Sequence, residues 1–207
     1  MPLAPRFFKS HTIYPSRSPS VVTVELYLDY CCPFSSKLFL NWYDSVIPEI
    51  QKQLGADSFQ FQLIQVPQPW HASSCYMHEA GLAVARLSPD NMIEFSRRLF
   101  EGQTKWFDEP TFEKSRSQIG QGLAQFAEKH AGVPASQIYD LIEIKNSGGE
   151  AKNGGNAVTN DLKYFVRYQR QNGVHVTPSV AVNGVILPAI ESSTSAEDVV
   201  KILRMQM

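Results

Sequence analysis

The segment YLDYCCPFSSK (residues 27–37) places two adjacent cysteines, Cys31 and Cys32, where a strand is predicted to end and a helix to begin. The strand is indicated by VVTVELYLDY (residues 21–30), in which apolar residues alternate and β-branched residues are frequent. Pro33 suits the first position of a helix, because an N–H there has no helical partner to lose. Cys32 is therefore expected at the N-terminal cap of the helix or next to it.

The apolar pattern after this point predicts a helix, a strand and a long helical stretch. The helix that begins at Pro33 is expected to reach about Leu54, with Pro48 as a kink or a break. SFQFQLIQV (residues 58–66) alternates apolar and polar residues and predicts a second strand. From about residue 73 to residue 172 the pattern is helical, interrupted by glycine and proline.

The C-terminal part of the chain returns to strand. TPSVAVNGVIL (residues 177–187) has two short apolar runs around Asn183-Gly184, the strongest short signal for a hairpin. Ser195, followed three residues later by Asp198, predicts the start of a final helix. A parallel strand pair joined by a helix and followed by an antiparallel pair makes a four-stranded mixed sheet. The predicted fold class is therefore α/β, with a helical insertion between the second and third strands.

Composition indicates one folded domain preceded by an arm. The chain has 207 residues, of which 43% are hydrophobic and 19% are charged, as in ordinary folded domains. We expect a flexible N-terminal arm over residues 1–20 and the domain over residues 21–207. The formal net charge of −1 gives no electrostatic reason to expect nucleic acid or an anionic membrane as a partner. No apolar run reaches the roughly 18 residues that a membrane span requires.

Cysteine usage favours a cytoplasmic protein. The three cysteines have irregular spacing and form no disulfide framework, and the sequence has no Asn-x-Ser/Thr acceptor site. Residues 1–20 also lack the continuous apolar stretch of a signal peptide. The alternative is an organellar protein with this arm as a transit peptide, although its four prolines disfavour the amphipathic helix that such peptides form.

The position of Cys32 at a helix start favours a reactive thiolate. Unpaired amides and the positive end of the helix dipole stabilise an anion there, and the thiolate is the nucleophile for disulfides. Ser35 stands three residues later, where a second thiol would resolve a mixed disulfide. A serine hydroxyl cannot resolve it, but it can donate a hydrogen bond to the Cys32 sulfur. The motif CPFS therefore predicts monothiol chemistry, and the alternative is an ordinary buried, inert cysteine.

The other two cysteines are weaker candidates. Cys31 belongs to the strand end, and its side chain is expected to point away from that of Cys32; it is a possible resolving thiol, but a Cys31–Cys32 disulfide would be strained. Cys75 opens the helical insertion and could act as a resolving thiol, or be an unpaired buried thiol. His71, His78 and Cys75 resemble a zinc set but lack a fourth ligand, so no metal is expected.

A second motif, HVTPSVAV (residues 175–182), lies far along the chain. Pro178 precedes a short β-branched strand, which fits either an ordinary strand start or a cis Thr177–Pro178 bond. A cis bond would expose the backbone of Thr177 beside Cys32. That backbone could then pair, as a strand does, with a peptide or with glutathione.

Together these motifs resemble the thioredoxin superfamily, in its DsbA-like branch, which is related to the kappa-class glutathione transferases. The resemblance rests on CCPFS, VTPS and VNG and on the position of the helical insertion. It implies a thioredoxin-like domain with Cys32 as nucleophile, Ser35 at the second motif position, and Thr177 and Pro178 as the cis-proline pair. It also implies that Pro33 and Phe34 contact substrate together with that pair. Dithiol members have cysteine at the Ser35 position, and kappa-class members have serine at the Cys32 position.

The sequence therefore predicts a monothiol thiol–disulfide oxidoreductase. Glutathione or protein thiols are the expected partners, glutathione is the expected co-substrate, and no bound cofactor is expected. One alternative is a kappa-like transferase or isomerase, in which Cys32 or Ser35 stabilises the thiolate of bound glutathione. The other is a binding module that holds peptides without turnover.

Overall fold

A computed structural model describes residues 2–16, 18, 21–145, 148, 149 and 151–207. Within these residues the chain forms one mixed β-sheet with helices on both faces. The strands are β1 (Thr12–Tyr14), β2 (Val22–Leu28), β3 (Phe59–Gln65), β4 (Ser179–Val182) and β5 (Val185–Ile186). The helices are α1 (Pro5–His11), α2 (Pro33–Asn41), α3 (Ile47–Leu54), α4 (Ser74–Leu87), α5 (Met92–Glu101), α6 (Asp108–Thr111), α7 (Arg116–Ala131), α8 (Ala135–Ile142), α9 (Thr159–Gln171) and α10 (Ala196–Arg204).

The predicted α/β class is confirmed, with six helices, α4 to α9, between β3 and β4 in the described part of the chain. The strand order is β1-β3-β2-β4-β5, in which β2 and β3 are parallel and the other pairs are antiparallel. Among the described residues, no helix has both the length and the apolar character needed to cross a bilayer.

The described sheet has five strands, not the four predicted, because the N-terminal arm contributes β1. The arm also forms α1, whose Phe7 is buried against Tyr164 and Phe165 of α9. The expectation of a flexible arm over residues 1–20 was therefore wrong for α1 and β1; Arg17 and some of its neighbours lie outside the described residues. A seven-residue helix and a three-residue strand are too short for periodicity to reveal, and their order depends on tertiary contacts.

Both faces of the central strand β2 are covered. Val24 pairs with Phe61 of β3, and the Phe61 ring packs edge-on against Trp42 at a centroid distance of 6.2 Å. On the opposite face the buried Glu25 carboxylate accepts a hydrogen bond from the hydroxyl of Tyr168 in α9. Burial raises the pKa of Glu25 above its ordinary value, and the hydrogen bond from Tyr168 offsets only part of that rise.

The helix after the cysteine motif is divided, as the sequence suggested. α2 ends at Asn41, residues Trp42–Val46 form a π-helical turn, and α3 begins at Ile47. Pro48 is in the first turn of α3, and because it has no N–H it cannot donate to the Asp44 carbonyl as another α-helical residue would. Widened turns of this kind commonly accommodate such a break.

The hairpin between β4 and β5 turns at the predicted dipeptide. Asn183 has φ +49° and Gly184 has φ +79°, the left-handed region that this turn requires at both positions. The turn is also tied to β2, since the Asn183 side chain accepts a hydrogen bond from the Thr23 amide at 3.0 Å. These contacts fix β4 beside β2 and thereby place the loop before β4 near the end of β2.

We predict that the docking of α1 contributes to stability. Replacing Phe7 with Ala should lower the free energy of unfolding by about 3 kcal/mol, because a buried ring is lost and a cavity is left. The same change at Phe8, which is 38% exposed, should have little effect. Urea unfolding of both variants measures the difference. Equal stability of the two variants would mean that α1 does not pack on α9 in solution.

Candidate active site

Cys32 is the N-cap residue of α2, as predicted. Its backbone is extended, with φ −84° and ψ 121°, and Pro33 follows at the first helical position. No side chain caps this helix, and the amides of Phe34 and Ser35 have no hydrogen-bond acceptor among the described residues. The unpaired amides and the helix dipole make this end of α2 favourable for a negatively charged sulfur.

The structure brings the two distant motifs into contact. The Thr177–Pro178 peptide bond is cis, and the Cys32 thiol donates to the Thr177 carbonyl at an Sγ–O distance of 3.5 Å. Cys32 is only 4% exposed, but it lies outside the cluster of packed apolar side chains that forms the core. The Cys32 sulfur therefore contacts a polar backbone group, the Thr177 carbonyl, and is not packed against hydrocarbon alone.

Ser35 has a structural contact that the sequence did not suggest. Its fully buried hydroxyl accepts a hydrogen bond from the Asp29 amide at 3.2 Å. Among the described residues, no hydrogen bond joins the Ser35 hydroxyl to the Cys32 sulfur, so the expected interaction is absent in this conformation. The reason is geometric, since the hydroxyl is directed towards the end of β2 and not towards the cap.

The other two cysteines occupy different environments, and all three thiols are free. Cys31 packs in the hydrophobic core, and burial together with the nearby charges of Asp29 and Asp108 raises the pKa of its thiol to about 12. A thiol that stays protonated is a poor resolving nucleophile. Cys75 is exposed, not buried as one alternative had it. Partial burial and the charge of Glu79 raise its pKa as well.

A buried carboxylate that sequence reasoning missed organises the site. Asp29 is fully buried at the end of β2, and its Oδ1 accepts from the Cys31 amide at 3.0 Å and from Ser74 Oγ at 2.6 Å. His78 Nε2 lies 3.2 Å from the same oxygen, and His71 Nδ1 lies 2.6 Å from Oδ2. Burial by itself raises the pKa of Asp29, but the hydrogen bonds and the charge of His78 hold it below its ordinary value.

The polar cluster continues into the protein as a chain of hydrogen-bonded side chains. His78 Nδ1 lies 2.9 Å from Gln65 Oε1, and Gln65 Nε2 lies 2.9 Å from His11 Nε2. Burial lowers the pKa of His11 to about 3, so this ring stays neutral at physiological pH. These hydrogen bonds connect α1 and α4 to the end of β3. It satisfies polar groups that would be costly to leave unpaired in the interior.

Two buried glutamine side chains form hydrogen bonds with the two motif loops. Gln103 Nε2 donates to the Tyr30 carbonyl at 2.8 Å and to the Cys32 carbonyl at 3.3 Å. Gln68 Nε2 contacts the His175 carbonyl at 3.4 Å and Thr177 Oγ1 at 3.5 Å. No spacing rule marks such residues in advance, because their partners are backbone groups that only the folded chain brings near.

Two cavities are lined by residues adjacent to the cysteine motif, although Cys32 itself lines neither of them. The first, of about 490 Å³, is lined by Cys31, Pro33, His71, Thr104, Phe107, Asp108, Glu109 and Pro110. The second is a groove of about 530 Å³ whose walls include Phe34, Val176, Thr177, Pro178 and Glu191. Every residue predicted to contact substrate therefore lines one cavity or the other. Cys75 lines neither of them.

His71 and His78, which resemble zinc ligands in the sequence, contact a carboxylate. His71 and His78 contact opposite oxygens of Asp29, while Cys75 is exposed at the start of α4. No group of three or more His, Cys, Asp or Glu residues in the described ranges has a metal-binding arrangement.

Comparison with solved structures identifies the fold. DsbA from Chlamydia trachomatis shares 20% sequence identity with the chain, and the match covers 100% of this chain and 96% of that one at a TM-score of 0.61. BdbD from Bacillus subtilis, in its oxidised form, shares 17% identity over 96% and 94% at a TM-score of 0.63.

The chain has the DsbA-like thioredoxin fold. A candidate protein-disulfide isomerase from Pseudomonas syringae has the same fold, with 20% identity, 95% and 99% coverage and a TM-score of 0.72. The resemblance seen in the sequence motifs is thus confirmed for the DsbA-like fold. No family model matches the sequence, and no curated protein matches it.

We predict that Asp29 stabilises this fold in a pH-dependent way. Because its folded-state pKa is below the unfolded value, its contribution is present above about pH 4 and is lost as the pH falls through the lowered pKa. Replacing Asp29 with Asn should cost about 2 kcal/mol at neutral pH, by loss of charged hydrogen bonds. The difference from the wild type should shrink in acid.

Denaturant unfolding measured from neutral pH to about pH 3 tests this, with Asp140→Asn as the matched control, since Asp140 is exposed on α8. A difference that stays constant over that range would contradict the role given to the Asp29 charge.

Proposed function

We propose that the protein is a thiol–disulfide oxidoreductase that acts through the single motif cysteine Cys32. The observation that carries this proposal is the contact of 3.5 Å between Cys32 Sγ and the Thr177 carbonyl, at the cap of α2. It joins the helix end that favours a thiolate to a loop whose backbone can bind an extended peptide.

The chemistry is an exchange between sulfurs. The Cys32 thiolate attacks a substrate disulfide, so that one substrate sulfur joins Cys32 and the other leaves as a thiolate. Ser35 provides no second thiol, and the thiols of Cys31 and Cys75 have raised pKa values. A thiol from another molecule must therefore release the adduct, which makes the cycle monothiol.

The groove beside Thr177 and Pro178 is the proposed substrate site. Phe34 and Val176 line it and are 62% and 60% exposed, so apolar surface is available on both sides of the cis-proline loop. Exposed apolar surface of this kind commonly marks a binding site. A protein substrate would bind there with its cysteine directed to Cys32 and its backbone along Thr177.

We propose glutathione, or a protein thiol, as the second reactant. Glu191 lines the same groove, and its carboxylate can bind the amino group of a γ-glutamyl residue. Glutathione would bind non-covalently or as a transient mixed disulfide and would be consumed as a co-substrate.

We predict that Cys32 alone forms the adduct. After incubation with glutathione disulfide, mass spectrometry of the intact protein should find one bound glutathione, which Cys32→Ser should abolish and Cys75→Ser should retain. Conjugation of an aromatic electrophile that survives Cys32→Ser would instead indicate a kappa-like transferase. Peptide binding without any exchange would indicate a binding module.

We also predict that Ser35→Cys introduces dithiol chemistry. An internal thiol at the third position of the helix should release the Cys32 adduct without external thiol, because the attack becomes intramolecular. The lifetime of the mixed disulfide should fall at least about tenfold. Ser36→Cys, one position further along the helix, is the control and should leave the lifetime unchanged.

A further inference from the structure

We propose that His71, oriented by Asp29, is the general base that deprotonates the external thiol which releases the Cys32 adduct. This inference rests on the proposed monothiol cycle and adds a catalytic residue to it. Ser35 occupies the position of an internal resolving thiol, so the cycle depends on a thiol from solution. An ordinary cysteine thiol has a pKa of about 8.5 and is mostly protonated at neutral pH. A base at the site of entry would supply the reactive thiolate.

The geometry of the His71 ring fits this role. Its Nδ1 lies 2.6 Å from Oδ2 of Asp29. Asp29 is fully buried, and its other oxygen, Oδ1, is hydrogen-bonded to Ser74 and His78. A carboxylate only accepts hydrogen bonds, so the proton of the neutral ring is on Nδ1 and the lone pair is on Nε2. Nε2 has no hydrogen-bond partner among the described residues.

The free nitrogen belongs to a side chain that lines the first cavity and is 23% exposed. Cys31 and Pro33, the neighbours of Cys32 on either side in sequence, also line this cavity. Its volume of about 490 Å³ is sufficient for a small thiol. The substrate groove at Thr177 is a separate cavity, so the incoming thiol and the substrate would occupy different sites next to the motif. The raised pKa of Cys31 keeps that thiol protonated and unable to compete.

The step conserves atoms and electrons. His71 Nε2 takes the proton of the incoming thiol, and the resulting thiolate attacks the substrate sulfur that is bonded to Cys32. A new disulfide forms between the incoming and substrate sulfurs while the bond to Cys32 breaks. The Cys32 sulfur leaves as a thiolate with the electron pair of the broken bond, the incoming sulfur is oxidised to the disulfide level, and the substrate sulfur stays at that level. The proton on His71 then passes to solvent.

His71→Asn is the sharpest test. The Asn amide nitrogen stands where Nδ1 stood and can still donate to Asp29, while the base at Nε2 is removed. The glutathione adduct of Cys32, prepared in a Cys75→Ser background, is released with 3-mercaptopropionate or with 4-mercaptobenzoate. Both thiols carry one carboxylate, but only the aromatic sulfur is already ionised at neutral pH. His71→Asn should slow release by the alkyl thiol about 10²-fold and leave release by the aromatic thiol unchanged.

The ratio of the two rates is measured on one protein sample, so a partly unfolded variant does not imitate the result. His130→Asn, on α7 and outside the lining of both cavities, is the matched histidine control and should change neither rate. If His71→Asn is too unstable, His71→Gln serves in the same comparison. Equal slowing with both thiols, or no slowing with either, would overturn the role of His71. Failure of the wild-type protein to form the adduct would instead overturn the proposed function.

Discussion

The geometry of this site depends on the hydrogen bonds that the buried Asp29 carboxylate accepts. This carboxylate receives hydrogen bonds from the Cys31 amide, from Ser74 and from the rings of His71 and His78. These groups come from the motif loop and from the start of the helical insertion. A buried charge is costly unless it is fully paired, so the carboxylate requires all of these elements to be in place at once. The insertion is thereby joined to the end of the central strand.

Adjacent cysteines differ sharply because of this arrangement. Cys31 points into the core, next to the negative charge of Asp29, and its thiol is held in the protonated form. Cys32 caps α2 and faces the Thr177 carbonyl, where helix amides and a backbone loop surround the sulfur. The two adjacent thiols differ because Cys31 lies in the turn after β2 and packs in the core, whereas Cys32 is the N-cap residue of α2.

Much of the fold could be predicted because its signals are local. The alternation of β2 and β3, the proline at the start of α2, the Asn183-Gly184 turn and the Ser195 cap each act within a few residues. The arm could not be predicted in this way, since α1 is ordered by Phe7 packing against α9. The same limit applies to the buried Glu25, because Tyr168, which donates a hydrogen bond to it, lies 143 residues further along the chain.

Local patterns were sufficient to predict that Cys32 stands at a helix start, that serine replaces a second motif cysteine, and that a helical block separates two halves of a mixed sheet. The packing of the elements established the contact of Cys32 with Thr177, 145 residues away, which was one of two interpretations of Pro178, and placed His71 at the cavity beside the motif. It also decided that Ser35 binds the Asp29 amide and not the cysteine sulfur. Local patterns encode the direction of a side chain within its own element. Which distant group that side chain meets depends on how the elements pack, and no periodicity in the chain records it.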